Sequence, residues 1–169
     1  RHETDGRITS RGHSMAGEIL VRGALWRAGV AFGMREQVCA LVRTHQVPFF
    51  GVDLAPPLAA QRAARLSLSL RNDWLAAVAA ADGRGRRTAD PRDRDRIVDN
   101  CALWREVAAE AGCLDRPRAF PDAHTQVLYL DDERAGRAAD VPAYDDTVAE
   151  AVGLSGLPGS GKSTLLAAH

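Results

Sequence analysis

GLPGSGKST, Gly156 to Thr164, fits the pattern G-x-x-x-x-G-K-[ST] at every fixed position. Such a loop wraps backbone N–H groups around the β- and γ-phosphates of a nucleotide. That demands glycines able to take positive φ, with no Cβ in the way. The helix that follows offers its own N–H groups and the positive end of its dipole. Lys162 reaches the terminal phosphates as a compact, mobile charge, a task to which the planar fork of arginine is less suited. Ser163 is placed to ligate the magnesium that bridges the phosphates. Gly156, Pro158, Gly159, Ser160, Gly161, Lys162, Ser163 and Thr164 are therefore the expected seat of ATP, or another nucleoside triphosphate, with Mg.

Lys162 is the only lysine among 22 basic residues; the other 21 are arginines. The abundance of Ala, Arg, Asp and Gly looks like GC-rich coding, under which arginine replaces lysine wherever function tolerates it. A single lysine surviving at the motif position that needs one supports the same reading. Elsewhere the composition is permissive. An apolar share of 46% is enough for a core, and 22 basic against 22 acidic residues give no net pull toward nucleic acid or membrane. No apolar run is long enough to cross a bilayer and the N-terminus is not a signal peptide, so a cytoplasmic location without a membrane partner is expected. Cys39, Cys101 and Cys113 match no zinc or disulfide spacing and are expected as reduced thiols. The chain starts at Arg1 without Met and stops inside the loop's own helix, and is expected to be a piece of a longer protein.

Working back from the loop, AVGLSG (151–156) reads as a buried strand feeding it, DDERAGRAADVPAYDD (131–146) as a linker, and QVLYL (126–130) as a short strand. Upstream the pattern is helical. Met15, Ile19, Leu20, Ala24 and Leu25 recur at helical spacing from about His13 to Ala28, with Gly29 as a stop. Val38, Leu41 and Val42 repeat this over 35–46, where Pro48 is expected to end the helix. VPFFGVDLAPP is an apolar connection without a clear period. Residues 58–70 and 72–82 read as two helices or one bent one, with Asn72 a candidate N-cap. A charged turn over 83–96 leads to a helix from about Pro91 to Ala111, closed by Gly112. The expected organisation is a helical domain over 1–120, a connecting segment over 121–148, and the start of an α/β nucleotide-binding domain over 149–169.

His13, in RGHSMAGEIL, opens one helix, and His45, in LVRTHQ, closes another. Asp82, in LAAVAAADGRGR, ends an alanine-rich helix. Imidazole nitrogens with a carboxylate suit a divalent transition metal that activates a water. By spacing alone the three match no general metal pattern, and capping histidines with a solvated aspartate are the plainer account. His2 and His124 read as loop residues.

DGRITSRGHSMAGEILVRGALW, REQVCALVRTHQVPFF and RNDWLAAVAAADGRGR together resemble the second half of an HD-domain phosphohydrolase. They are similar to the HD module of bacterial CCA-adding tRNA nucleotidyltransferases, and closer to the HD module fused ahead of a P-loop kinase in bacterial HD-domain polynucleotide kinases. DNCALWREVAAEAGCLD, DAHTQVLYL and YDD before GLPGSGKST resemble the joint between those modules, so the likeness covers the whole chain. It implies a mainly α HD-type domain, in its C-terminal portion, followed by the beginning of an α/β P-loop NTPase domain. It implies an enzyme that heals RNA ends: a metal-dependent phosphohydrolase acting on 2′,3′-cyclic phosphate and 2′-phosphate ends, and a kinase moving the γ-phosphate of an NTP to a 5′-OH. His13 and His45 match the downstream histidines of the HD pattern and Asp82 its final aspartate, with Asp73 a rival; Mn, Ni, Co or Zn would sit there. The family's upstream His and His-Asp doublet, and the kinase's base, arginines and lid, are missing from this chain, so neither activity is expected of it alone.

Two other readings stay open. The same modules could act on a small nucleotide or metabolite, or an HD half without chemistry could sense a nucleotide and gate an ATPase. The six arginines of GRGRRTADPRDRDR (83–96) offer a phosphate-tracking patch, but Asp90, Asp93 and Asp95 interleave and self-neutralisation is the plainer account. Trp26, Trp74 and Trp104 are expected in the core, and the DD pairs at 131–132 and 145–146 as linker acids.

Overall fold

Proline, aspartate and glycine set most helix boundaries, as their backbone chemistry requires. A computed structural model describes residues 2–4, 7–10, 12–88, 90–146, 148, 153–160 and 164. A short antiparallel hairpin, β1 (His2–Thr4) and β2 (Arg7–Thr9), pairs His2 with Thr9. Seven helices follow: α1 (His13–Arg27), α2 (Phe32–Thr44), α3 (Val47–Phe50), α4 (Pro56–Ser67), α5 (Asn72–Gly85), α6 (Pro91–Glu110) and α7 (Ala123–Asp131), with a 3₁₀ turn at Gly51–Asp53. Asp90 caps α6, its carboxylate accepting from the Arg92 N–H at 2.9 Å, and Pro91 fills the first position. Gly29 and Gly112 close α1 and α6 at φ +70° and +65°. At each, two backbone bonds reach back into the last turn: Gly29 to Trp26 and Val30 to Leu25, Gly112 to Ala109 and Cys113 to Ala108.

The core lies among α4, α5, α6 and the end of α2. Leu41, Ala63, Leu70, Leu75, Ala76, Trp104, Ala108 and Cys113 form its main cluster. Three alanines and three leucines share it, and one large ring, Trp104, fills the centre at 0% exposure. Gly51 is required by that ring: a Cβ there would stand 2.5 Å from Trp104 Cζ3.

Asn72 is not the N-cap of α5; Arg71 holds that place, and Asn72 is helical and fully buried. Its amide nitrogen donates to the carbonyls of Ala63 at 3.0 Å and Cys113 at 2.8 Å, and its oxygen accepts from Trp104 Nε1 at 3.2 Å. One side chain thus joins α4, α5, α6 and the loop beyond α6, with both amide hydrogens and the oxygen employed.

Several expectations change. QVLYL is helical, inside α7: Asp122 caps it, accepting from Thr125 N at 2.7 Å. Across the chain, Gln61 donates to the carbonyls of Tyr129 and Asp132, and Arg65 to that of Leu130, satisfying the helix's last acceptors. A short apolar run does not disclose its period, and these remote caps decide it. Pro48 starts α3 rather than merely ending α2, and VPFF with GVD is helical. His2 lies in β1 and His124 in α7. Trp26 and Trp74 are not core residues: 67% and 36% exposed, they carry the guanidinium groups of Arg35 and Arg71 on their faces. The expected strand at 151–156 is not formed over its described residues, Gly153 to Gly156, which are exposed. Among the described residues the hairpin is the only sheet, no helix is long and apolar enough to cross a membrane, and all three cysteines are free and buried.

Replacing Asn72 with Ala takes the Asn72 bond from a buried indole N–H and from the carbonyls of Cys113 and Ala63. The expected loss is about 3 kcal/mol of unfolding free energy, read as a lowered urea midpoint; a loss under about 1 kcal/mol would remove Asn72 from its central place. Acid offers a second check. The N–H and hydroxyl of Thr125 hold the Asp122 carboxyl below the usual carboxylate range. A depressed folded value means the cap's contribution is whole above the unfolded pKa and lost as pH falls through the folded one. Helical circular dichroism should therefore fall at acid pH, and Asp122→Asn should flatten that part of the titration.

Candidate functional site

The end of α5 stands beside the end of α2, and the start of α1 completes the corner. His13 is the first residue of α1, His45 the C-cap of α2, and Asp82 lies in the last turn of α5. The structure brings all three together. The two Nε2 atoms are 3.4 Å apart, and His45 Nε2 is 3.8 Å from Asp82 Oδ2.

Each imidazole is oriented by its other nitrogen. His13 Nδ1 lies 2.7 Å from the Ser10 carbonyl and His45 Nδ1 lies 2.8 Å from that of Val42. A carbonyl can only accept, so Nδ1 carries the proton in both rings. A ring that is neutral with this tautomer has an unprotonated Nε2, and both rings turn that nitrogen to the shared corner. This is the orientation by a backbone carbonyl that metal-binding imidazoles have.

The helices meet here for separate reasons. Gly83, next to Asp82, allows α6 close to α5: a Cβ would lie 2.7 Å from Ile97 Cγ2. By contrast α1 has no buried residue, and Met15, Ile19 and Leu20 are more than half exposed. It is tied to α2 by charge. Arg22 bridges Glu18 and Glu36, both at 3.0 Å, Arg35 joins Glu36 at 3.0 Å, and Gly17 sits against Val42. Hydrogen bonds from Arg22, then Arg35, pull the Glu36 carboxyl below the usual range. The ion ladder ties α1, which begins with His13, to α2, which His45 caps.

Two nitrogens bound to one tetrahedral ion at about 2.1 Å lie about 3.4 Å apart, so the imidazole pair fits a shared metal. The carboxylate is less ready. Arg86, one turn after Asp82, donates to the same Oδ2 at 2.8 Å, while its guanidinium covers the Phe49 ring. Among the described residues no group of three or more His, Cys, Asp and Glu side chains is gathered tightly enough to hold a metal ion. The corner is an open set of donors, with Arg86 across one of them. The i,i+4 spacing of Asp82 and Arg86 was the signal in the sequence for that pair.

Asp73 lies at the opposite end of α5, about 13 Å along the axis from Asp82. Its carboxylate is taken by Arg71, at 3.0 and 2.6 Å, and by the Trp74 N–H, and the Arg71 bonds hold it below the usual range. It is a structural residue. In the glycine loop, Gly156, Pro158, Gly159 and Ser160 are exposed. Gly159 takes φ +80°, Ser160 N–H donates to the Leu157 carbonyl at 3.2 Å, and Thr164 is helical and exposed. Gly161, Lys162 and Ser163 lie outside the described residues.

The ring geometry has a direct check. Nitrogen-15 spectra at pH 8 should place the proton on Nδ1 in both His13 and His45; a proton on Nε2 of either would disqualify that ring as a donor to the corner. The chain matches no family model, no curated protein and no solved structure.

Proposed function

We propose that the chain carries part of an RNA end-healing enzyme: a metal-dependent phosphohydrolase half built on His13, His45 and Asp82, and a nucleotide-binding loop at Gly156–Thr164 belonging to a 5′-OH kinase. The observation that carries the reading is the convergence of His13, His45 and Asp82. Residues singled out from remote parts of the sequence share one corner, with both imidazoles presenting Nε2. A divalent transition ion held there would supply Lewis-acid polarisation of a phosphate ester and activation of water. The chain's own residues would do the rest: the Ser10 and Val42 carbonyls hold the rings, the Arg22 ladder holds the helices, and Asp82 must leave Arg86 or share with it. The loop half rests on the motif itself, with Lys162 on the terminal phosphates and Ser163 on Mg. Three buried free thiols suit a reducing compartment.

One observation favours a second reading, in which the helical half senses a nucleotide without chemistry. Arg86 on Asp82 neutralises a carboxylate the metal needs.

The test offers RNA with a 5′-OH and a 2′,3′-cyclic phosphate to the full-length gene product, with manganese and ATP, and resolves both ends by gel. Conversion at both ends is expected. Lys162→Ala should abolish phosphorylation and spare hydrolysis, and His45→Ala should do the reverse. Conversion at neither end with ATP still bound overturns the end-healing reading in favour of a small-molecule kinase or a gated ATPase.

A further inference from the structure

Beside His13 the surface opens into a depression of about 480 Å³, lined by Ser10, His13, Ser14, Arg43 and Gln46 among others. None of the described residues lining it is acidic. That distinguishes it from the hollow of about 390 Å³ in the arginine-rich segment, where Asp95 and Asp99 stand beside Arg84 and Arg94 and cancel their charge.

Arg43 is also unusual among the arginines of this region. Arg22 is spent on Glu18 and Glu36, Arg35 on Glu36, and Arg86 on Asp82. Arg43 has one ion pair, Nε to Glu18 Oε2 at 3.6 Å, and among the described residues its guanidinium makes no hydrogen bond. The terminal fork therefore remains for a ligand, in a cleft that also holds the Gln46 amide and the Ser14 hydroxyl. A planar fork paired only loosely with Glu18, with adjacent neutral donors and no carboxylate lining the cleft, is chemistry suited to a phosphate. His13 Nε2 belongs both to this cleft and to the pair with His45, so an anion bound here adjoins the donor corner.

We propose that this depression receives the phosphate of a ribose 2′-phosphate end, and that Arg43 is its positioning residue. The choice of ligand rests on the end-healing reading; the anion site rests on the cleft. Arg43 is suited to a test because its side chain is nearly half exposed and its only pair is long, so its removal does not threaten the fold.

The experiment uses the 169-residue chain with uridine 2′-monophosphate as probe, without metal, following the Arg43 Nε–H and the His13 and His45 ring signals by NMR. A parallel calorimetric titration follows Mn²⁺ alone. Saturable shifts at Arg43 and His13 are expected. Arg43→Gln should weaken binding by about tenfold or more, Arg43→Lys should recover part of it, and both should bind Mn²⁺ as the parent chain does. His45→Ala should lower Mn²⁺ affinity by at least about tenfold and leave the probe bound. Probe affinity indifferent to Arg43→Gln, or shifts confined to Arg84 and Arg94 or to the glycine loop, would overturn the proposal. Probe binding that needs Arg43 while Mn²⁺ binds nowhere would keep the anion site and sink the metal reading instead.

Discussion

A single buried amide holds the helical body in register. Asn72 has no access to water, so each of its polar atoms must find a partner inside the protein. It finds them on α4, on α6 and beyond the end of α6. Apolar packing is non-directional and by itself tolerates some sliding of one helix on another. The amide does not tolerate it: displacing α6 by a turn would separate Trp104 Nε1 from Asn72 and strand two buried groups. Trp104 then transmits the constraint to the 3₁₀ turn, where only glycine fits beneath its ring.

The candidate site depends on this frame unequally. Asp82 stands on α5, anchored at its first residue by Asn72 and near its last turn by the contact of Gly83 with α6. His45 ends α2, whose Leu41 is in the main cluster. His13 belongs to α1, which buries nothing and is held by an ion ladder in partly exposed surroundings. Such ladders are individually weak and screened by salt. The corner therefore combines two firmly seated donors with one seated on a looser element, and the cleft of Arg43 opens on the looser side.

Much of this was legible. The 3.6-residue period and the glycines after α1 and α6 located five of the longer helices, because these are signals between residues close in sequence; the Asp90 cap emerged only in the structure. The three donor residues were also visible as residue types at helix ends. Their meeting was not, since nothing in the spacing of His13, His45 and Asp82 says which faces turn inward. QVLYL was misread because its helical state depends on Gln61 and Arg65, more than sixty residues away. The tryptophans misled for a related reason: two of them spend their rings on arginines at the surface, and only Trp104 lies inside.

The sequence by itself determined the helical period of the body, most of its stops, and the G-x-x-x-x-G-K-[ST] spacing of the glycine loop, written in nine consecutive residues. Only the tertiary structure decided that Asn72 is a core tie rather than a cap. It alone turned both imidazoles to offer Nε2 at one corner, set Arg86 across Asp82, and left the fork of Arg43 unspent. These depend on contacts between residues tens of positions apart, whose geometry is fixed only when the helices pack and buried polar groups must choose partners.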